Sequence, residues 1–203
     1  IGMELSLRGD IEVGYCARPN EVDFRLIAPR AVIEEVERRV LEALGRHLVS
    51  ASGDLIEEVV VKRLTALQKT LAVAESCTGG LLANRITNVP GASVVLLEGF
   101  VTYSNDAKIR SVNVPEDLIL AHGAVSEPVA RAMAEGALAA SDAEVSIAVT
   151  GVAGPDGGDL VTPVGTVWFG WALRDPLPRC VQTARFELAG TRREVRAAAV
   201  RIA

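Results

Sequence analysis

Residues 70–80 read Thr70-Leu71-Ala72-Val73-Ala74-Glu75-Ser76-Cys77-Thr78-Gly79-Gly80, and this stretch decides the fold. A short apolar run that ends in polar residues is typical of a buried strand. Two glycines and an amphipathic segment follow it, so we predict a strand, a tight turn and a helix. Such a turn exposes backbone N–H groups and can present a side chain to an anionic ligand. We therefore place the functional site at this turn, which carries three hydroxyl or thiol groups.

The composition narrows the possible function classes. The chain has 203 residues, of which 49% are hydrophobic and 23% charged, as in a folded domain with or without a small extra module. Its net charge of −5 gives no electrostatic footprint for nucleic acid and no basic membrane patch. No apolar run approaches the ~20 residues that span a bilayer, and we expect no secretory signal. Three separated cysteines indicate reduced thiols in a cytoplasmic protein, and two isolated histidines make a metal site improbable.

The first part of the chain predicts a small α+β module in the order β-β-α-β. Alternating residues over 11–28 predict a β-hairpin, and an apolar stripe after Pro29 predicts a helix. A further short strand is expected at His47–Ala51. We predict domains at 1–52 and 53–203. The abrupt beginning and end indicate a piece of a longer protein.

The second part predicts a mixed sheet. Strands are expected from Thr70 and at 94–104, 145–149, 164–172 and 180–186, with a final helix beginning near Gly190. Helices separate the early strands, whereas the last two strands form a hairpin. The fold class that we predict is therefore α/β, with three layers in the order α/β/α.

Three polar clusters follow the predicted strand ends, where ligands bind in open α/β sheets. They are residues 75–78, residues 103–105 with Lys108, and the glycine-rich loop 150–158. Each cluster alone has an ordinary structural explanation. Ser76 and Thr78 could cap a helix, Tyr103 could lie at the edge of the core, and Lys108 could be a solvated helix residue. Their convergence at one edge is less easily explained without a site.

Several common catalytic motifs do not occur in the sequence. There is no G-x-x-x-x-G-K-[ST], G-x-G-x-x-G after a strand, H-E-x-x-H or G-x-S-x-G. Neither histidine is near the polar clusters, so a Ser-His-Asp triad is unattractive. A serine without histidine needs a lysine or tyrosine as its base. Lys108 would need a pKa lowered from about 10.4 for this role, and N–H groups of Thr78–Gly80 could stabilise an oxyanion.

Five blocks of the sequence resemble one known family. They are 74–80, 101–105 with Lys108, 123–126, 150–158 and Pro163-Val164-Gly165-Thr166-Val167. In this order they closely resemble the CinA C-terminal domain, over about residues 54–203. The preceding unit, including residues 13–18, resembles the KH-like linking module of full-length CinA. The usual N-terminal domain of that protein, associated with ADP-ribose pyrophosphatase activity, has no counterpart here, and we do not assign that activity.

The resemblance implies a nicotinamide-nucleotide amidase, which hydrolyses the carboxamide of nicotinamide mononucleotide during pyridine nucleotide recycling. The products are nicotinic acid mononucleotide and ammonia. On this interpretation Ser76 is the nucleophile and Lys108, helped by Tyr103, is the base. Thr78 is the second candidate nucleophile and Cys77 the third. The substrate-binding residues that we expect are Glu75, Thr78, Gly79, Gly80, Asn105, Thr150, Gly151, Gly154 and Arg192, with Glu75 facing the pyridinium and Arg192 the phosphate.

Further expectations concern partners and alternatives. We expect no cofactor and no metal, a small nucleotide substrate, a homodimer, and neither membrane nor direct nucleic acid binding. Many relatives carry a lysine where this chain has Thr162. The change removes either a possible phosphate contact or an inconsequential loop charge, and it bears on affinity more than on the reaction class. The alternative function is a noncatalytic nucleotide-binding regulatory or assembly module of a larger CinA protein.

Overall fold

A computed structural model describes residues 2–18, 21–175 and 180–203. The chain divides into two compact units, Ile1–Val59 and Val60–Ala203, and the division falls inside the helix Ile56–Ala66, called α3 below. The domain ranges 1–52 and 53–203 stay a prediction. Among the described residues, no helix combines the length and the apolar character that crossing a bilayer requires.

The first unit contains a hairpin and a packing helix. Its elements are α1 (Gly2–Ser6), β1 (Glu12–Arg18), β2 (Glu21–Ile27), α2 (Arg30–Leu44) and a 3-10 turn (Gly45–His47). The antiparallel pairing of β1 with β2 and the helix after Pro29 confirm the prediction, although the turn residues Pro19 and Asn20 lie outside the described residues. A small core forms from Leu5, Ile11, Val36 and Val40.

The strand expected at His47–Ala51 is wrong. His47 ends the 3-10 turn, and the residues after it have no regular structure. An isolated strand leaves its backbone groups unpaired, and here side chains bond the backbone instead. The Ser50 hydroxyl accepts from the N–H groups of Ser52 and Asp54. The order of this unit is therefore α-β-β-α.

The second unit is built on five strands in the order β4-β3-β5-β6-β7. Their ranges are β3 (Leu71–Glu75), β4 (Leu96–Val101), β5 (Val145–Gly151), β6 (Thr166–Leu173) and β7 (Cys180–Glu187). β3 is parallel to both β4 and β5, whereas β6 runs antiparallel to β5 and to β7. The mixed sheet and the late hairpin are confirmed.

Helices cover both faces of this sheet. The helices are α4 (Leu81–Thr87), α5 (Asn105–Val112), α6 (Glu116–His122), α7 (Glu127–Ala140) and α8 (Arg192–Ile202). Successive residues of β3 point to opposite faces, so Leu71 and Val73 pack in the core with α4 and α8. Ala72 and Ala74 pack in the other core, with α5, α6 and α7. The three-layer α/β/α prediction is confirmed.

The strand directions bring several chain segments to one edge of the sheet. β3, β4 and β5 end there because they are parallel, and the antiparallel β6 begins there. β7 ends at the same edge, since its Glu187 pairs with Thr166, and α8 follows it at once. Packing also fixes α5, because a Cβ at Gly136 of α7 would overlap the Val112 carbonyl oxygen. The edge therefore collects all three polar clusters on a rigid frame.

Candidate active site

The turn after β3 is shaped by its two glycines. Gly79 and Gly80 have φ values of +60° and +92°, a region that residues with a Cβ rarely adopt. The Gly79 N–H donates to the Ser76 carbonyl oxygen at 3.1 Å, which closes the turn. Because Gly80 also uses its N–H within the fold, neither glycine supplies the oxyanion donor that the sequence predicted.

Glu75 holds the beginning of α4. Its side chain is fully buried, and its carboxylate accepts from three backbone N–H groups. These belong to Gly80 and Leu82, both at 3.0 Å, and Ala83 at 2.8 Å. Backbone N–H groups in the first turn of a helix otherwise lack acceptors. The carboxylate thus has a structural partner set, and Glu75 does not line the cleft described below.

Lys108 reaches Ser76 from α5, the helix that follows the neighbouring strand β4. Ser104 caps the beginning of α5, because its hydroxyl accepts from the Ala107 N–H at 3.1 Å. The Lys108 Nζ lies 3.0 Å from the Ser76 Oγ and donates to the Thr102 carbonyl oxygen at 2.9 Å. The side chain of Lys108 is 1% exposed.

Burial shifts the pKa values of two titratable side chains at the site, Lys108 and Cys77. It lowers the pKa of Lys108 to about 8, because an ammonium ion loses hydration there. None of the ion pairs among the described residues provides Lys108 with a carboxylate partner. Burial raises the pKa of the Cys77 thiol to about 11. Near neutral pH the lysine can exist as a free amine, whereas the cysteine stays a thiol.

A cleft of about 200 Å³ opens beside this pair. Its lining includes seven residues predicted for the site, namely Ser76, Tyr103, Asn105, Lys108, Thr150, Gly151 and Arg192. The other predicted residues lie outside the lining, and they are Glu75, Thr78, Gly79, Gly80 and Gly154. Thr78 is fully buried, and its Oγ1 has no hydrogen-bond partner within the described residues.

Tyr103 is joined to Arg192 across the cleft. The Arg192 Nη2 donates to the Tyr103 hydroxyl, and its Nη1 donates to the Gly154 carbonyl oxygen, both at 2.9 Å. The tyrosine is 59% exposed. Among the described hydrogen bonds, none links Tyr103 to Lys108, so its expected help to the base has no direct contact. Arg192 and Tyr103 instead form a polar wall of the cleft.

Thr150 and Gly151 shape the floor at the end of β5. The Thr150 Oγ1 donates to the Ala124 carbonyl oxygen at 2.8 Å, which holds a segment that also lines the cleft. A Cβ at Gly151 would lie 2.8 Å from the Thr166 carbonyl oxygen, so only glycine permits this close approach of β6. Both residues therefore have a packing role at the cleft.

Two groups of the site have little or no signature in the sequence. The Thr102 carbonyl is a backbone acceptor, which side-chain motifs do not reveal. Arg196 donates from Nε to the Cys77 carbonyl oxygen at 3.0 Å and from Nη2 to that of Thr78 at 2.8 Å. The sequence does hint at Arg196, because it follows Arg192 by four residues and therefore lies on the same face of the helix. Over the ranges that the structure covers, no three His, Cys, Asp or Glu side chains could hold a metal ion.

The fold and the site define a class: a three-layer α/β/α domain with a buried lysine paired to a serine at the strand ends. The chain belongs to the CinA family, because the model of the CinA C-terminal domain matches residues 54–203.

Relatives and solved structures agree with this family. The chain is 49% identical over 164 residues to a CinA-like protein of Akkermansia muciniphila, covering 81% of this chain and 40% of that protein. It is 50% identical over 203 residues to a CinA-like protein of Chlorobaculum tepidum, covering 96% and 48%. The chain thus spans about half the length, or less, of these curated relatives.

The crystal structure of the competence/damage inducible protein CihA from Agrobacterium tumefaciens is 40% identical, with a TM-score of 0.70. That match covers 72% of this chain and 88% of the other. A CinA superfamily protein from Escherichia coli is 39% identical, with a TM-score of 0.69, covering 79% and 94%.

Proposed function

We propose that this chain is a nicotinamide mononucleotide deamidase that uses Ser76 as its nucleophile and Lys108 as its base. The observation that carries the proposal is the 3.0 Å approach of the Lys108 Nζ to the Ser76 Oγ at a buried position. A serine hydroxyl is a weak nucleophile until a neighbouring base removes its proton. The amidase activity itself comes from the resemblance of the sequence to nicotinamide-nucleotide amidases.

The first step forms an acyl-enzyme. The Ser76 Oγ attacks the carboxamide carbon, and its proton passes to the neutral Lys108 amine. The carbonyl oxygen becomes negatively charged, and backbone N–H groups of the turn stabilise it. Lys108 then gives its proton to the amide nitrogen, the C–N bond breaks, and ammonia leaves. The Thr102 carbonyl oxygen orients the lysine throughout.

The second step is hydrolysis by the same base. Lys108 takes a proton from a water molecule, which attacks the acyl carbon. The proton returns to the Ser76 Oγ as the ester bond breaks, and nicotinic acid mononucleotide is released. Each step needs the lysine in one defined protonation state, and a pKa of about 8 makes both states accessible near neutral pH.

The surroundings favour Ser76 over the other two candidate nucleophiles. Thr78 is fully buried and lies outside the cleft lining, so a substrate has no path to its hydroxyl. Cys77 lines the cleft, but burial raises the pKa of its thiol to about 11, and the thiolate is the reactive form. Ser76 lines the cleft and has a base within hydrogen-bond distance.

Arg192 and Tyr103 suit the outer part of a nucleotide. A guanidinium that can form paired hydrogen bonds is well matched to a phosphate. The aromatic ring of Tyr103 gives the cleft a face on which a pyridine ring can stack. Asn105, at the beginning of α5, supplies an amide at the same wall. We propose that the carboxamide enters toward Ser76 while the phosphate remains at Arg192.

The test is release of ammonia from nicotinamide mononucleotide by purified protein. Wild-type protein should give equal amounts of ammonia and nicotinic acid mononucleotide, and Ser76→Ala should give neither at a detectable rate. If wild type binds the nucleotide but releases no ammonia at high protein concentration, the noncatalytic regulatory or assembly function stands instead.

A further inference from the structure

The backbone groups of the turn after β3 are almost all engaged. The Ser76 N–H donates to the Val149 carbonyl oxygen, and the Ser76 carbonyl accepts from Gly79. The Gly80 N–H donates to Glu75. Each backbone N–H is a single donor, so an N–H that bonds within the fold is not free to bind a ligand. Two successive N–H groups, those of Cys77 and Thr78, donate to no other residue among those that the structure describes.

Arg196 fixes the Thr78 N–H directly and the Cys77 N–H through one further hydrogen bond. Its guanidinium donates to the carbonyl oxygens of Cys77 and Thr78, on both sides of the Thr78 residue. In a trans peptide the N–H points opposite to the C=O of the same plane. With the Cys77 carbonyl held toward α8, the Thr78 N–H points away from α8. The clamp therefore prevents this peptide from rotating. The Cys77 N–H belongs to the peptide of the Ser76 carbonyl, which accepts from the Gly79 N–H, and the Gly79 N–H shares its own peptide with the Thr78 carbonyl that Arg196 binds.

The positive charge of Arg196 also strengthens the N–H donors of the turn. Among the ion pairs of the described residues, none includes Arg196, so no carboxylate neutralises its guanidinium. A cation on a carbonyl oxygen polarises the whole amide and makes its N–H a stronger donor. The hydrogen bond from the Gly79 N–H to the Ser76 carbonyl passes this effect on to the Cys77 N–H. Because the side chain is only partly exposed, water screens this effect incompletely.

We infer that Arg196 is a positioning residue that holds this turn so that the Cys77 N–H, on a residue that lines the cleft, forms the oxyanion site for Ser76. This inference rests on the proposed serine chemistry. The amide directly after a nucleophile is well placed to receive the negative oxygen that forms when this nucleophile attacks. Arg196 touches neither the substrate nor Ser76, and its effect passes through the backbone that it binds.

The experiment measures how fast a fluorophosphonate labels Ser76. In this reaction the Ser76 Oγ forms a bond to phosphorus, fluoride leaves, and the phosphoryl oxygen occupies the oxyanion site. The variants are Arg196→Gln and Arg196→Lys, and the labelled residue is located by mass spectrometry. Arg193→Gln is the matched control, because Arg193 is exposed on the same helix and makes no hydrogen bond among the described residues. Circular dichroism and thermal unfolding establish that each variant is folded.

We expect Arg196→Gln to label roughly 10- to 100-fold more slowly than wild type. This is a smaller loss than the roughly 100- to 1000-fold that removal of an oxyanion donor causes, because the N–H itself is still present. Arg196→Lys should fall between this variant and wild type, since an ammonium cannot bridge two carbonyls in the same geometry. The same order should appear in kcat for nicotinamide mononucleotide with little change in KM, which a general loss of structure would not produce. Arg193→Gln should label as wild type does.

Equal labelling rates in wild type and in the folded Arg196 variants would overturn the inference. If Arg196→Gln does not fold, Arg196→Lys decides on the same criterion. Failure of wild type to label at Ser76 would also overturn it. A wild type that labels at Ser76 but releases no ammonia would contradict the proposed substrate alone, and the labelling ratios would still decide the role of Arg196.

Discussion

Lys108 and Ser76 follow two neighbouring parallel strands, and their side chains meet with 3.0 Å between Nζ and Oγ. The turn after β3 carries the serine, and the first helix after β4 carries the lysine. The contact therefore depends on the strand order and not on closeness in sequence. The lysine is buried, and no ion pair among the described residues gives it a carboxylate partner, which favours a free amine over an ammonium ion.

Replacing Lys108 by methionine should remove turnover and keep the fold. Methionine fills a similar volume, but it can neither accept the Ser76 proton nor give one to ammonia. We expect kcat to fall by roughly 10²- to 10⁴-fold, the usual contribution of a general base. Lys69→Met is the control, since Lys69 lies on the surface paired with Glu144, and it should keep the wild-type kcat. A Lys108→Met variant with full turnover would exclude the lysine as base.

The pH dependence of turnover should follow the protonation of Lys108. Burial lowers the pKa of this side chain to about 8, and only the neutral amine can accept the Ser76 proton. The kcat/KM value should therefore rise with pH through about 8 and level off above it. Below this pH it should fall about tenfold for each pH unit, because kcat/KM reports the free enzyme. A profile that is flat from pH 6 to 9 would contradict this assignment.

The choice of nucleophile can be tested at Thr78 by an isosteric change. Thr78→Val removes a buried hydroxyl that lacks a hydrogen-bond partner among the described residues and fills the same space. We expect unchanged kcat and an unfolding free energy equal to or up to about 1 kcal/mol above that of wild type. Ser76→Ala should abolish turnover in the same assay. The reverse pattern would identify Thr78 as the nucleophile.

The sequence predicted the convergence of the site because that convergence follows from topology. Apolar runs separated by helices indicate parallel strands, and parallel strands end at one edge. Ser76 and Lys108 could therefore be placed together before the structure was known. The late hairpin was equally visible, since a short link between two strands requires antiparallel pairing.

Other parts of the site depend on local geometry that residue types do not encode. Glu75 and Tyr103 have suitable chemistry for a ligand, but their partners are the α4 backbone and Arg192. The Arg196 clamp joins residues more than a hundred positions apart, so only the packing of α8 reveals it. The missing strand after His47 has the same cause, because a strand forms only where a neighbouring strand offers pairing.

Glu75 should matter for stability. Glu75→Ala would leave the buried N–H group of Leu82 and the neighbouring N–H groups of Gly80 and Ala83 without their acceptor. Since each such group costs about 1 kcal/mol or more, we expect the free energy of unfolding to fall by about 3 kcal/mol in urea. Glu98→Ala, at an exposed position of β4, should change it by less than about 0.5 kcal/mol. Equal stability of the two variants would contradict the capping role.

Arg192 should distinguish a nucleotide from the corresponding nucleoside. If its guanidinium binds the phosphate, Arg192→Gln should raise the KM for nicotinamide mononucleotide by roughly 10- to 100-fold, the value of a charge-assisted hydrogen bond. Nicotinamide riboside has the same ring and sugar without the phosphate, so its kcat/KM should change much less. Arg193→Gln serves as the control for loss of one positive charge on α8. An equal loss for both substrates would instead assign Arg192 to holding Tyr103 and the Gly154 carbonyl, the two groups that it already binds.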